Sequence, residues 1–199
     1  MGASILPITI YKGKIYFLFG KERTIDDTPG WSDFGGGTDK GESFMETATR
    51  EGVEELTGFL GDKHYIKTHI QTFGTHTIDY KSDGHATYRC HLYPIIYDDK
   101  LKFYYNNNHK VIQSHLDLAV IKQSKIFEKT EIRWFSFNDI KRQRASFRSF
   151  YKNIIDLLIK DKLNIQQFVR ANSLFKRTHN QSRKRKNKSH NKTKRKHNY

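Results

Sequence analysis

Six residues of this chain have the types and spacing to do chemistry together: Gly36, Glu42, Arg50, Glu51, Glu54 and Glu55, reading G-x5-E-x7-R-E-x2-E-E. At about 5–7% usage per residue type, six fixed identities coincide by chance roughly once in 10^7 positions, so the pattern counts as a motif. On a helix, Glu51, Glu54 and Glu55 stand at i, i+3 and i+4, which brings their side chains together. Crowded carboxylates repel unless a hard cation lies among them, and Mg²⁺ or Mn²⁺ prefers oxygen ligands. The expected chemistry is therefore a divalent metal holding a phosphorylated substrate. Arg50 stands one turn from both Glu46 and Glu54 and is expected to pair with either. Glu42 is expected to favour the start of the helix, where an anion meets the dipole.

Those residues need a turn, a helix and a sheet to hold them. Gly35, Gly36 and Gly37 provide a backbone free of side chains. Helix is expected from about Glu42 to Leu56, with Met45, Ala48, Gly52 and Leu56 as its buried stripe. Ile5–Tyr11 and Lys14–Phe19 read as a hairpin turning at Lys12-Gly13, and Trp31–Phe34 as a short strand entering the glycines. Tyr65–Thr72, Thr75–Tyr80, Thr87–Tyr97 and Ile132–Phe137 read as further strands, and Asn106–Asn108 as an exposed loop. Asn138 is the expected cap of a short helix with Asp139 in its first turn. Ser146–Lys160 has apolar residues at helical spacing, and Ile165–Phe175 can form another short helix. Strands on both sides of one helix, then C-terminal helices, suggest an α/β class with a mixed sheet between helical layers.

The motif resembles the signature of the Nudix hydrolases, which cleave diphosphate linkages in nucleotides and related compounds. The match runs through Glu55, with two departures. Gly52 stands where the family has a bulky aliphatic residue, and Gly58 comes one residue later than the family's closing glycine. The resemblance covers roughly residues 5–160 and implies a Nudix-like α/β/α sandwich. It implies that Arg50 orients the catalytic glutamates and that the Gly35 carbonyl joins Glu51, Glu54 and Glu55 on Mg²⁺ or Mn²⁺, with Gly36 and Gly37 shaping the approach. The general base is expected to be Glu51, with Glu128 second; Glu131 lies in the same stretch before Trp134. Gly52 is expected to admit Trp31 or Phe34 close to the helix, and Gly58 to serve as the C′ residue of a slightly longer helix. The box leaves the substrate open beyond a nucleotide-type diphosphate.

The chain has 199 residues and a net charge of +15. From Lys176 onward it carries eleven Lys or Arg and no acid, leaving about +4 for the remainder. Two units follow: a catalytic domain over 1–175 and a disordered basic tail over 176–199. Arg183–Lys186 and Lys194–Lys196 could hold an RNA backbone or act as a localisation signal, so an mRNA-decapping hydrolase is an alternative expectation. A non-catalytic nucleotide- or RNA-binding module is a third, disfavoured because no box acid is missing. No apolar run approaches a membrane span, no signal peptide is evident, and the single Cys90 fits a reducing compartment. An intracellular protein, cytoplasmic or nuclear, is expected, with its oligomeric state open. The ten His show no zinc-type spacing. Phe73, Tyr88, Tyr93 and Phe103 could stack on a base, but strand aromatics are more often core.

Overall fold

The computed structural model describes residues 1–22, 28–82, 85–124 and 126–176. The expected basic tail falls, after Lys176, outside the described residues. Strand β1 (Gly2–Tyr11) and β2 (Lys14–Lys21) form the expected hairpin, with Lys12 and Gly13 both at positive φ in the turn. The two strands pair only over Ile8–Tyr11 and Lys14–Phe17. Beyond that they diverge, and β3 (Trp31–Ser32) and β4 (Phe34–Gly37) enter the fork, β3 pairing β2 and β4 pairing β1. Gly35, Gly36 and Gly37 are thus sheet residues, and Asp33 lies where the chain crosses from one arm to the other.

Helix α1 (Phe44–Glu55) follows, then α2 (Lys63–Phe73), β5 (His76–Ser82) and β6 (His85–Pro94). Next come α3 (Leu101–His115), α4 (Leu118–Ser124), β7 (Glu131–Ser136) and α5 (Phe137–Arg142). A 3-10 turn (Arg144–Ser146) leads to α6 (Tyr151–Lys160) and α7 (Lys162–Ala171). The sheet is mixed: β1 pairs β6 in parallel, and its other pairings are antiparallel.

Strand β1 is buried on both faces, as its near-continuous apolar run requires. Ala3 and Ile5 pack with Ala48, Leu56, Ile66 and Tyr105 on the side of α1, α2 and α3. Leu6 and Ile8 pack with Tyr151, Ile155, Leu158 and Val169 on the side of α6 and α7. Two helical layers therefore cover the sheet, giving an α/β/α sandwich.

Four sequence expectations are corrected. Tyr65–Thr72 is helical: Asp62 caps its first turn by accepting from the Tyr65 amide at 2.7 Å, and Gly74 ends it at φ 69°. Its aromatic and β-branched composition suggested a strand, but Ile66 and Ile70 turn one stripe inward. Asn106–Asn108 lies inside α3. Asn106 donates to the Ile132 carbonyl at 3.2 Å and accepts from the Ile132 amide at 2.8 Å, doing for β7 what a further strand would do. Ser136, not Asn138, caps α5, and Asp139 closes a capping box with it. Residues 147–150 precede α6 as non-helical chain, with Trp31 bridging Phe147.

Candidate functional site

Helix α1 begins with a capping box: Ser43 accepts from the Glu46 amide, and Glu46 reaches back to the Ser43 amide at 2.9 Å. Glu46 is thereby occupied, and the expected Arg50–Glu46 pair does not form. Glu42 lies just outside the helix and takes Arg50 as a fork, with Nε at 2.9 Å from Oε1 and Nη2 at 3.0 Å from Oε2. It also accepts from the Asp39 amide at 3.2 Å and the Thr47 hydroxyl at 2.9 Å. This corrects the expectation that Glu42 acts through the helix dipole: it anchors Arg50. The Arg50 guanidinium, helped by the Asp39 amide and Thr47, holds Glu42 down at about 2.

Arg50 then distributes its remaining donors. Nη1 reaches Glu51 at 2.6 Å and Nη2 the Gly37 carbonyl at 3.1 Å, while Glu54 is 3.7 Å away. One side chain therefore ties α1 to β4. Gly36 completes the junction: a Cβ there would lie 2.5 Å from Glu51 Oε1, so only glycine leaves space for that carboxylate.

Glu55 behaves differently. It turns into the interior, where Oε2 accepts from the Gly35 amide at 2.7 Å and Oε1 faces Lys129 Nζ at 2.8 Å. The expected face of three meeting carboxylates is thus divided, with Glu51 and Glu54 at Arg50 and Glu55 drawn inward. Among the described residues no group of three His, Cys, Asp or Glu is arranged to hold a metal. Burial raises the Glu55 pKa, opposed chiefly by the attraction of the Lys129 ammonium.

Lys129 is the buried charge beside the candidate site that the sequence did not reveal. It is 0% exposed, and its three ammonium protons meet three acceptors: Glu22, Glu55 and the Ser32 hydroxyl. Burial lowers its pKa, but Glu55 and Glu22 outweigh it and leave the group raised and charged. Arg148 joins from beyond β7, donating to Glu22 at 2.8 Å and to Thr28. The Tyr105 hydroxyl lies 3.1 Å from the Glu55 carbonyl and 3.2 Å from the Lys129 carbonyl, pinning both chains. Glu22, Ser32 and Lys129 come from distant parts of the chain, so no local pattern marks them. Asp33 is buried against the Ser4 and Tyr88 hydroxyls, and burial raises its pKa.

The two departures from the motif have physical explanations. A Cβ on Gly52 would lie 2.4 Å from Ile5 Cδ1, so the close neighbour is Ile5 of β1 and not Trp31 or Phe34. At the helix end Gly58 donates to the Val53 carbonyl and Thr57 to the Glu54 carbonyl, each at 3.0 Å. This is a Schellman closure in which Thr57, at φ 51°, is the C′ residue and Gly58 follows it. Left-handed geometry is unfavourable for a β-branched residue. Thr57 accepts from the Phe127 amide at 2.8 Å, tying the helix end to the loop that carries Glu128 and Lys129. Phe127 also has positive φ, 52°. Glu128 is half-buried and close enough to Tyr105 to raise its pKa, behind burial and Glu55.

No family model matches the chain, and no curated protein does. Among solved structures it is similar to an Ap4A hydrolase of C. elegans in a binary complex, at 18% identity over 83% of this chain and 97% of that one, with a TM-score of 0.49. It is also similar to the MutT protein of Methanosarcina mazei, at 14% identity over 81% and 93%, with a TM-score of 0.43. A third is the NUDIX domain of Shewanella oneidensis NrtR complexed with ADP ribose, at 12% identity over 81% and 86%, with a TM-score of 0.40.

Proposed function

We propose that the chain is a divalent-metal-dependent hydrolase of the Nudix type, cleaving a diphosphate linkage in a nucleotide derivative. The observation that carries this reading is the Arg50 clamp. It fixes Glu51 against Gly36 and joins the acidic helix to the glycine strand in one rigid unit.

The donor type, hard carboxylate oxygen, suits Mg²⁺ or Mn²⁺. Glu51 and Glu54 offer hard oxygen ligands with 15% and 37% of their side chains exposed, and Gly36 leaves the Glu51 carboxylate unobstructed. Glu51 and Glu54 would hold the ion, with the Gly35 carbonyl as the adjoining oxygen, while Glu55, engaged by the Gly35 amide and Lys129, would lie beneath them. When bound, the ion would neutralise the diphosphate and orient the attacking water. The side chains account for the remaining chemistry. Glu51 accepts the proton from the attacking water, with Glu128 as the alternative acceptor. Oxygen adds to phosphorus, the bridging P–O bond breaks, and two phosphate products leave. Arg50 fixes the Glu51 rotamer. Lys129 compensates Glu55 and Glu22, so neither charge stands uncompensated beneath the reacting carboxylates.

The test is a turnover screen of purified protein with Mg²⁺ and Mn²⁺ against nucleoside triphosphates, ADP-ribose, dinucleoside polyphosphates, inositol pyrophosphates and capped RNA. Metal-dependent release of phosphate products supports the proposal, while silence across the panel favours a non-catalytic binding module. One observation favours capped RNA as a second reading: the eleven Lys or Arg after Phe175 suit a polyanion. That reading also fits an intracellular location.

A further inference from the structure

A cavity of about 490 Å³ lies at the far end of the sheet from the carboxylates. Three elements enclose it: the turn of the β1–β2 hairpin, helix α5 and one edge of α7. Lys14 enters from the hairpin and Arg142 from the end of α5. Lys162, Gln166 and Arg170 stand at i, i+4 and i+8 on α7, so they share one face of that helix. The buried Ile165 and Val169 seat α7 on the core. The volume falls in the range of small-molecule sites. Along β1 the cavity reaches Ile10, whereas Gly36 pairs Ala3. Seven residues of strand separate these positions, about 23 Å.

The charge of this cavity is one-sided. Asp139 is the one acid among its described lining residues, and it is already engaged. It accepts from the Ser136 hydroxyl at 2.6 Å, the Ser136 amide at 3.0 Å and Arg142 at 2.7 Å. Lys14, Lys162 and Arg170 form no ion pair among the described residues. Lys162 Nζ stands 5.5 Å from the centre of the Phe137 ring, which is itself set edge-on against Phe17 at 5.0 Å. Four cations against one acid leave the cavity at +3, where residues 1–175 together have about +4. Most of the excess charge of the sandwich is therefore gathered around one hollow. Like charges arranged about a concavity repel one another and focus the field that draws an anion in. The sequence after Phe175 has no acidic side chain, so it supplies no such anion.

We propose that this cavity binds a compact, multiply phosphorylated small molecule through Lys14, Arg142, Lys162 and Arg170. The cations come from three elements around a hollow instead of running along one line. That arrangement suits phosphates grouped on a small body better than the linear backbone of a nucleic acid. Arginine offers paired donors to phosphate oxygens, and lysine adds point charge, so the site holds its anion without a metal. It is separate from the proposed hydrolytic centre and does not depend on it.

The experiment is an amide NMR titration of the full chain in metal-free buffer. The probes are myo-inositol hexakisphosphate, inorganic triphosphate, inorganic phosphate and oligouridylate. The first two are expected to shift the resonances of Gly13, Lys14, Asn138, Gln166 and Arg170, about tenfold or more tighter than inorganic phosphate. Oligouridylate is expected to act on resonances after Lys176 and to leave the cavity resonances in place. The exposed double change Lys162→Gln with Arg170→Gln should weaken the cavity response to both polyphosphates about tenfold and leave the response after Lys176 unchanged. Glu51→Gln should leave every cavity affinity as it is. Cavity resonances unmoved by either polyphosphate overturn the proposal, as does an affinity that is the same in the double variant. Oligouridylate binding the cavity more tightly than triphosphate would make it a strand-docking surface and overturn the proposal too.

Discussion

Arg50 and Lys129 are two cations with opposite surroundings, and their loss should have different consequences. Arg50 makes a planar fork on Glu42 while also reaching Glu51 and Gly37. Lysine cannot reproduce that geometry. Arg50→Lys should therefore lower turnover by on the order of tenfold or more while the chain still folds, as kinetics beside circular dichroism would reveal. Lys129 sits beneath the site, holding two buried carboxylates. Lys129→Met leaves Glu22 and Glu55 without their ammonium and should cost about 3–5 kcal/mol. For a domain of this size that lowers the melting temperature by on the order of 10 °C, measurable by calorimetry. An unchanged melting temperature would show that the cluster is not stabilising. The motif residues were legible in sequence because helix periodicity places Arg50, Glu51 and Glu54 on one surface. Lys129 was not, because its partners Glu22 and Glu55 are brought to it only by the sheet and the Thr57–Phe127 contact. Glu55 was placed on the correct helix but given the wrong direction, since nothing local to it announces a buried ammonium.

At the scale of elements, the site depends on how α1 is seated on β1 and β4. Gly52 allows that approach. Gly52→Ala improves helix propensity by up to about 1 kcal/mol, but its Cβ would meet Ile5 at 2.4 Å. The net expectation is destabilisation of about 1–2 kcal/mol from overpacking. With Ile5→Ala the obstructing atoms vanish. Denaturation of the double variant should show a loss smaller than the sum of the single losses, the mark of direct coupling. The start of the helix has its own pH signature. Glu42 is depressed from 4.5 to about 2 by Arg50, so its contribution is complete above pH 4.5 and is lost as pH falls towards 2. Glu42→Gln should be less stable than the parent at pH 6, and the difference should shrink through that acid window. A difference that is constant with pH would remove the Arg50–Glu42 ion pair as its cause. The hairpin, α1 and the α6 stripe could be read from periodicity. Helix α2 could not, because Tyr65, Ile66, His69, Ile70 and Phe73 are strand-like in composition and their helical state comes from Asp62, Gly74 and packing on Ile66. The Asn run in α3 misled for a similar reason: Asn106 is used as an edge cap for β7, a tertiary role that composition does not show.

For the whole molecule, charge and fold separate. The sandwich is only mildly basic, while the sequence beyond Phe175 carries most of the excess. Removal of residues 177–199 should leave turnover of small diphosphates unchanged. It should also flatten the salt dependence of RNA binding, since each phosphate neutralised on a single strand contributes a slope of about −0.7. Equal slopes for the two chains would assign RNA no role in the tail.

The central claim is that the clamped carboxylates of α1 perform metal-dependent hydrolysis. Its most direct test compares the parent chain with Glu51→Gln on the best substrate from the screen, at matched Mg²⁺ and Mn²⁺, with melting curves for both. The account predicts metal-dependent turnover in the parent, a fall of about 10^2-fold or more in the variant, and equivalent folding. Full turnover in Glu51→Gln, or parent turnover that persists in excess chelator, would contradict it.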